Sequence, residues 1–210
     1  MNYERILPHT TEREIVREAA SKSPLHLVFA GASSTGKTTM MEILSTQIGV
    51  PTIPETARSI IKEQGWKRED LDNAATLYDL QQRIVTKQYE QEIVLAHVPH
   101  CSDRSIFDPL VYAEMYLGLE AMEKLKQMPE YSGIDTIYKN ALFIVIEPNE
   151  RTFRNDGVRI LPDIQFAREF NNRIKRILED YKLPYIEIHS ASIHEREEEI
   201  YRKLAQKLLL

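Results

Sequence analysis

The segment with the clearest chemical meaning is the stretch 31–38, which fits the pattern G-x-x-x-x-G-K-[ST]. Gly31 and Gly36 allow the backbone to turn so tightly that successive N–H groups point at phosphate oxygens. Lys37 adds a positive charge for the β and γ phosphates, and the hydroxyl of Thr38 can bind Mg²⁺. The pattern therefore predicts a site for a triphosphate such as ATP together with Mg²⁺. The other residues predicted to contact the nucleotide here are Ser33, Ser34, Thr35 and Thr39.

The residues on either side of this segment supply the structure that such a loop requires. The apolar run 25–30 leads into it as a strand, and apolar residues follow it at helical spacing, namely Met40, Met41, Ile43 and Leu44. The alternative is a glycine-rich turn that contains a lysine by chance. Such a turn would not require a strand before it and a helix after it. A strand, a glycine loop and the start of a helix favour phosphate binding.

A carboxylate and an arginine follow the short strand predicted at 49–54. A hydroxyl that accepts a phosphoryl group needs a carboxylate to orient it or take its proton, and Glu55 is the candidate for this catalytic base. Arg58 lies three residues later on the same predicted helical face, where it could hold the substrate. The alternative for Glu55 is an acidic residue in the first turn of a helix, where the helix dipole favours negative charge.

Three more charged residues follow the weak strand predicted at 97–101. Asp103 could bind Mg²⁺ through water or could compete with Glu55 for the role of base, and the sequence leaves both roles open. Arg104 could contact the acceptor near its reacting oxygen, although an Asp-Arg turn that caps a helix is the alternative. Asp108 stands before a proline, so it is either a substrate ligand or a helix cap.

A basic segment follows the strongest predicted strand, 141–146. It carries Arg151, Arg154 and Arg159, and we expect a lid over about residues 148–162 that closes on the triphosphate and excludes water. Arg151 and Arg154 are predicted to contact the nucleotide, and Arg154 and Arg159 to take part in catalysis.

The long helix predicted at 71–96 carries side chains that could recognise a base or another ring, namely Tyr78, Gln81 and Gln82. We assign Tyr78 and Gln82 to the substrate. Because the same helix has an apolar stripe, the alternative for Tyr78 is a place in the core. The charged segment 118–139 is predicted to be an insertion that covers the site.

Strands and helices alternate along the chain, and a last strand is predicted at 185–189. This order predicts an α/β fold, a five-stranded parallel sheet with helices on both faces. The polar residues described above follow four different strands, and the carboxyl ends of parallel strands share one edge of a sheet. The sequence therefore predicts that these residues converge on a single site.

The composition fits a globular domain with a small-molecule partner. The 210 residues are 42% hydrophobic, and the net charge of -5 argues against nucleic acid or an anionic membrane as the partner. The single cysteine, Cys101, fits a reducing compartment, so we expect a cytoplasmic protein. An N-terminal helical extension is predicted over 1–22 and a single domain over 23–210. The oligomeric state is left open, a homodimer included.

On these residues the chain resembles the P-loop kinases of the nicotinamide riboside kinase (NadR-like) group, whose relatives include deoxynucleoside kinases and AAA-type ATP-binding proteins. The resemblance covers about residues 25–190 and rests on four segments, 31–39, 54–58, 103–105 and 156–159. It implies a three-layer P-loop NTPase fold. It also implies transfer of the γ-phosphoryl group of ATP to a hydroxyl of a nucleoside-like or ribosyl substrate, of the nicotinamide riboside or deoxynucleoside type.

The same resemblance offers an alternative, a regulatory or adaptor module that binds ATP or GTP without kinase activity. A regulatory GTPase would show an Asn-Lys-x-Asp motif after a late strand, and a mechanochemical ATPase would add a helical domain with a sensor arginine. The sequence shows neither at the expected positions, so both classes are disfavoured.

Overall fold

In the computed structural model, which describes residues 11–150 and 163–209, five strands form one parallel sheet. The strands are β1 (His26–Ala30), β2 (Thr52–Ile53), β3 (His100–Asp103), β4 (Ala141–Ile146) and β5 (Tyr185–Ile188). Their order across the sheet is β2-β3-β1-β4-β5. Helices cover both faces of the sheet, which confirms the predicted α/β class and the three-layer architecture.

The helices fill the intervals between the strands. They are α1 (Glu12–Lys22), α2 (Lys37–Ile48), α3 (Thr56–Gln64), α4 (Ala74–Leu95), α5 (Asp108–Leu117), α6 (Leu119–Leu125), α7 (Ile134–Ile137), α8 (Ile164–Asp180) and α9 (Ile193–Leu208). Two short 3₁₀ helices lie at Arg68–Asp72 and Pro129–Gly133.

β1 and β4, two of the three interior strands of the sheet, are buried along their whole length, which explains their largely apolar sequences. β1 is paired with β4 on one side and with β3 on the other, and Phe29 stands opposite Asp103. The N–H of Arg104 donates to the carbonyl of Phe29 at 2.9 Å. The register therefore places the loop after β1 beside the residues that end β3.

Two apolar clusters fill the space between the sheet and the helices, one for each face. The first joins β1 and β4 to α5 and α8, and its largest side chains include Phe107, Phe143 and Phe170. The second joins β1, β4 and β5 to α2 and α9, and it also contains Val16 and Ala20 of α1. The described part of the N-terminal extension is therefore packed onto the domain.

Local signals explain where several helices begin. Asn73 Oδ1 accepts hydrogen bonds from the N–H groups of Ala75 and Thr76, so the long helix predicted from residue 71 begins as α4 at Ala74, after the 3₁₀ helix. Ser192 and Glu195 form a capping box at the start of α9. Gly65, with φ of +67°, ends α3.

Two sequence-based predictions need correction. β3 begins at His100 and reaches Asp103, so the strand predicted at 97–101 was placed too early. The segment 118–139 does not cover the site, because its apolar side chains, Tyr131 and Tyr138 among them, pack into the first cluster. The hydroxyl of Tyr131 donates to the carbonyl of Ile106 at 2.8 Å, and the N–H of Ile106 donates to the hydroxyl of Tyr138 at 3.0 Å. These contacts make the segment part of the core.

Candidate active site

The loop between β1 and α2 has the sharp turns that its glycines predict. Gly31 and Gly36 have φ angles of +118° and +90°, and Ser34 has a φ of +61°. A Cβ atom at Gly31 would lie 2.6 Å from Asn171 Oδ1, so glycine is required there for space as well as for conformation. Main-chain amides in such a loop, at the start of α2, can surround a phosphate group.

Asn171 of α8 fastens this loop to the sheet, a role that the sequence analysis missed. Its Oδ1 accepts the N–H of Ala32 at 2.9 Å, and its Nδ2 donates to the carbonyl of Ile146, the last residue of β4, at 3.0 Å. Asn171 is fully buried. An asparagine among the buried positions of an otherwise amphipathic helix is the only sequence signal that could have indicated this contact.

Lys37 is buried inside the loop. Its ammonium group donates hydrogen bonds to the carbonyl of Ala32 and, at 3.5 Å, to Thr35 Oγ1. Burial and then the positive charge of Arg104 lower the pKa of Lys37 to about 7, although nearby carboxylates, Asp103 first, act in the opposite direction. A triphosphate in the loop would give the ammonium group a stronger, anionic partner.

Thr38 and Asp103 meet at the edge of the loop. Thr38 Oγ1 donates to Asp103 Oδ2 at 2.5 Å, and Asp103 is buried at the end of β3. Mg²⁺ prefers oxygen ligands and is usually held by one or two protein groups together with phosphates and water. A hydroxyl and a carboxylate in contact beside a phosphate loop fit such a site. Within the described residues, no three acidic, histidine or cysteine side chains form a metal cluster.

Arg104 connects the phosphate loop to the residues that follow β2. Its Nε donates to Glu55 Oε1 at 3.1 Å, and its Nη1 donates to the carbonyl of Gly31 at 2.9 Å and to Asp108 Oδ1 at 3.0 Å. Burial opposes the charge of Arg104, but Tyr112, Glu55 and Asp108 raise its pKa well above the usual value. Arg104 therefore stays positively charged at the floor of the site.

Asp108 has contacts on both carboxylate oxygens. Oδ1 accepts from Arg104 and, at 3.3 Å, from the N–H of Gly31, while Oδ2 accepts from the N–H and the hydroxyl of Ser105 at 2.9 and 2.8 Å. The carboxylate is buried and begins α5. These partners are Gly31, Arg104 and Ser105 rather than N–H groups of α5, whose N-cap position is Phe107, so Asp108 is not the helix cap that the sequence offered as one alternative. Asp108 instead borders the cavity described next.

A cavity of about 150 Å³ opens between α3, α4 and α5 beside the phosphate loop. Its polar wall contains Ser33, Glu55, Arg58 and Arg104, and the remainder of the wall is largely apolar and aromatic. Tyr112, Tyr116 and Phe166 form one side, with ring centroids 6.2 Å apart for the two tyrosines and 5.3 Å apart for Tyr116 and Phe166. The cavity can therefore enclose a flat, partly apolar molecule whose polar end faces Glu55 and the loop.

The face of α4 that borders this cavity is not the face that carries Tyr78 and Gln82, the two residues assigned to the substrate from the sequence. Leu77, Leu80, Gln81 and Ile84 line the cavity. Gln82 lines a separate groove between α3 and α4, and Tyr78 packs against the first apolar cluster, with Lys124 Nζ 5.5 Å from its ring. Tyr78 and Gln82, which the sequence assigned to the substrate, therefore lie outside the wall of this cavity. Gln81 is buried, and its Oε1 has no hydrogen-bond partner in the described part of the chain.

The other predicted residues lie at the rim of the site or outside the described residues. Arg58 Nε donates to Glu55 Oε2 at 3.3 Å, and the Arg58 side chain is 61% exposed. Thr39 is exposed in the first turn of α2. The lid arginines, Arg151, Arg154 and Arg159, fall within 151–162, which lies outside the described residues, so their predicted roles stay predictions.

Comparison with known families decides the class of this chain. A family model described as an AAA domain matches residues 26–196, from the start of β1 to the first turn of α9. The chain belongs to this AAA domain family. A comparison with curated proteins finds no match.

Solved structures show that this AAA domain has the fold of P-loop kinases. A NadR protein in complex with NR is 22% identical with a TM-score of 0.67, and the match covers 94% of this chain and 54% of that one. Deoxyadenosine kinase from M. mycoides with products dCMP and dCDP is 16% identical with a TM-score of 0.60, covering 87% of this chain and 100% of that one. Shikimate kinase from Acinetobacter baumannii, in complex with shikimate, is 14% identical with a TM-score of 0.53, covering 92% and 97%.

The predicted AAA-type domain is confirmed by the family model, and the predicted resemblance to P-loop kinases is confirmed for the fold. The chain spans about half the length of the NadR protein that it matches. Across the described ranges, 11–150 and 163–209, no helix is long and apolar enough to cross a membrane.

Proposed function

We propose that this AAA domain is an ATP-dependent kinase that phosphorylates a hydroxyl of a nucleoside-like or ribosyl compound. The observation that carries the proposal is the position of the cavity, which opens directly beside the phosphate loop and has Glu55 and Arg104 in its wall. An acceptor in this cavity and a triphosphate in the loop would be neighbours. Such proximity is the main requirement for phosphoryl transfer.

The contacts of the two candidate carboxylates favour different roles for them. Glu55 lines the cavity, where an acceptor hydroxyl would be bound, and two arginines, Arg58 and Arg104, hold its oxygens. Asp103 instead contacts Thr38, the residue that provides a hydroxyl for Mg²⁺ in loops of this kind. We therefore assign the role of base to Glu55 and the role of metal ligand to Asp103 with Thr38.

The proposed reaction follows from these positions. The acceptor hydroxyl donates a hydrogen bond to Glu55, which takes the proton as the hydroxyl oxygen forms its bond to the γ-phosphorus. The bond between the γ-phosphorus and the oxygen that bridges it to the β-phosphate breaks, and ADP leaves with that electron pair. Lys37 and the amides of the loop stabilise the charge on the phosphates. Mg²⁺ bound near Thr38 and Asp103 would supply further positive charge, and Arg151, Arg154 and Arg159 are proposed to complete the lid.

The wall of the cavity indicates the kind of acceptor. Tyr112, Tyr116 and Phe166 offer ring faces on which a heterocycle can stack, and Gln81 offers an amide to its polar edge. The exposed Arg58 at the rim can contact ribose hydroxyls or a negative group. Nicotinamide riboside and deoxynucleosides both combine a flat ring with a sugar hydroxyl, so both remain candidate acceptors.

The test is a panel of nucleosides, deoxynucleosides and nicotinamide riboside with γ-labelled ATP, followed by variants of the two carboxylates. We expect a labelled product with at least one compound and a fall in kcat of roughly 10²–10⁴-fold in Glu55→Gln, with little change in ATP affinity. Asp103→Asn should instead raise the Mg²⁺ concentration needed for half-maximal rate. Glu63→Gln, in an exposed position of the same helix as Arg58, is the matched control and should retain full turnover.

Two outcomes would redirect the proposal. Full turnover in Glu55→Gln, with loss in Asp103→Asn at saturating Mg²⁺, would transfer the role of base to Asp103. ATP binding without any labelled product across the panel would contradict the kinase assignment and favour a regulatory or adaptor module.

A further inference from the structure

Arg196 of α9 joins the phosphate loop to the turn that follows β5. Its Nη1 donates to the carbonyl of Thr35 in the phosphate loop at 2.8 Å, and its Nε donates to the carbonyl of Ser190 in the turn after β5, also at 2.8 Å. Only 4% of Arg196 is exposed. A single rigid guanidinium group therefore fixes the separation between the loop and this turn.

The contact with the loop also orients one of its amides. Because a trans peptide is planar, the N–H of Gly36 points in the opposite direction from the carbonyl of Thr35 that Arg196 holds. Glycine at position 36 leaves room for this contact, since a Cβ atom there would lie 2.8 Å from Arg196 Nη1. The guanidinium group thus turns an amide of the loop away from α9.

The turn after β5 is held from a second side by Glu199. Its Oε2 accepts the N–H groups of His189 and Ser190 at 3.1 and 3.0 Å. Burial opposes the charge of Glu199, but hydrogen bonds from Lys203 and from the turn lower its pKa to about 2, so the carboxylate is ionised at neutral pH. With the carbonyl of Ser190 held by Arg196, the peptide N–H of Ala191 points away from that guanidinium group.

These contacts leave an ordered turn of backbone groups at a fixed distance from the phosphate loop. The turn follows the carboxyl end of β5, and ligands of parallel α/β sheets bind at that edge. His189 and Ser192 are exposed, and Ser190 and Ala191 are partly exposed, so the turn is accessible to a ligand. β5 lies two places from β1 in the sheet, with β4 between them. A purine linked through ribose to a triphosphate is a ligand that could extend from the phosphate loop to the end of β5.

We propose that Arg196 is a positioning residue for the nucleotide, which sets the turn at 189–192 to receive the base while the phosphate loop receives the triphosphate. The inference rests on the proposed function in one respect, the binding of ATP by the loop. It adds an assignment for a residue outside the phosphate loop and the acceptor cavity. Arg196 acts by holding the backbone of both segments in place. It should therefore strengthen the binding of a whole nucleotide, which contacts both segments, more than the binding of the phosphates alone.

The test compares ATP with inorganic tripolyphosphate, each titrated into the full chain in the presence of Mg²⁺. The dissociation constant of tripolyphosphate divided by that of ATP measures how much the nucleoside part of ATP adds to the affinity. In Arg196→Gln we expect this ratio to fall by about tenfold, because the turn is no longer held to the loop by charge-assisted hydrogen bonds. A loss of folded protein alone would weaken both ligands equally and leave the ratio unchanged.

Matched variants make the result specific. Arg202→Gln, an exposed position of the same helix, should keep the ratio of the unmodified protein. Arg196→Lys keeps the charge but has no fork to reach two carbonyls, and it should lower the ratio even if Arg196→Gln does not fold. Glu199→Gln should also lower the ratio, because it weakens the turn without a contact to the loop.

The outcomes separate this inference from the proposed function. An unchanged ratio in Arg196→Lys or in a folded Arg196→Gln would overturn the positioning role while ATP binding stands. An unmodified protein that binds ATP no better than tripolyphosphate would also overturn it, because no base contact would exist to be positioned. An unmodified protein that binds neither ligand would remove the nucleotide site itself and the inference with it.

Discussion

Lys37 is the residue whose protonation state should respond most directly to nucleotide. Its pKa is lowered to about 7 by burial, so at pH 8 most of the free protein carries a neutral amine at this position. Phosphate oxygens would favour the charged form and raise the pKa again. We therefore expect ATP binding at pH 8 to take up about one proton per molecule.

The proton uptake can be measured by titration calorimetry in buffers of different ionisation enthalpy. Uptake through Lys37 should be smaller at pH 6, because the lysine is already protonated in the free protein below its pKa. Equal uptake at both pH values, or none at pH 8, would contradict the proposed change in the charge of Lys37.

Sequence reasoning at the residue scale can predict a position where the residue type is tied to one chemical task. Lys37 and Thr38 have a known place in a glycine loop, so their positions followed from the pattern alone. Asn171 and Arg196 act on the same loop from 139 and 161 residues along the chain. An asparagine or an arginine has no such fixed task, and only the packing of α8 and α9 against the loop reveals theirs.

At the scale of the element, α4 shows how a correct helix can still give wrong contacts. Neighbouring residues of a helix are about 100° apart, so an error of one position moves a side chain to another face. Gln81 faces the cavity, and Gln82 faces the groove between α3 and α4. The apolar stripe predicted that this helix is buried, but it could not indicate which of its flanks borders the site.

The other end of α4 carries a buried acid whose titration should affect stability. Glu92 is fully buried, and burial raises its pKa to about 8 despite a hydrogen bond of 2.9 Å from Gln88 Nε2. In the unfolded chain the pKa returns to the ordinary 4.5. Between pH 4.5 and about 8, Glu92 therefore holds a proton in the folded protein that it has lost in the unfolded chain. The stability that this proton contributes is therefore complete below pH 4.5 and is lost as the pH rises through 8.

Glu92→Gln removes this titration while keeping the shape of the side chain. We expect the free energy of unfolding of the variant, relative to the unmodified protein, to rise by on the order of 1 kcal/mol per pH unit between pH 5 and 8. Urea unfolding at several pH values measures the difference. Glu90→Gln, an exposed position two residues earlier, should show no such trend. A pH-independent difference for Glu92→Gln would show that Glu92 is ionised in the folded protein.

At the scale of the whole molecule, the convergence of the site could be predicted because it depends on the topology of the sheet. Parallel strands place all their carboxyl ends at one edge, so Glu55, Asp103 and the phosphate loop had to be neighbours once the order of strands and helices was known. The division of roles proposed for Glu55 and Asp103 could not be predicted in this way. It depends on the side of the phosphate loop on which each carboxylate lies. The order of the strands alone does not determine that side.

The same convergence makes the phosphate loop a junction of the fold, with direct consequences for thermal stability. Its backbone is hydrogen-bonded to Asp108 of α5, Asn171 of α8 and Arg196 of α9, so a ligand bound in the loop would stabilise contacts with three helices. MgATP at 100 times its dissociation constant should add about 2.7 kcal/mol to the free energy of unfolding, which corresponds to a rise in Tm of roughly 5–10 °C.

Differential scanning fluorimetry with ATP and GTP measures this rise and shows which nucleotide the site prefers. Lys37→Ala should fold and show little or no rise with either nucleotide at the same concentration, because the loop then lacks its cation for the β and γ phosphates. If the unmodified protein gives no rise with either nucleotide at millimolar concentration, the loop does not bind triphosphate. The neighbouring carboxylates would then have no phosphoryl group to act on.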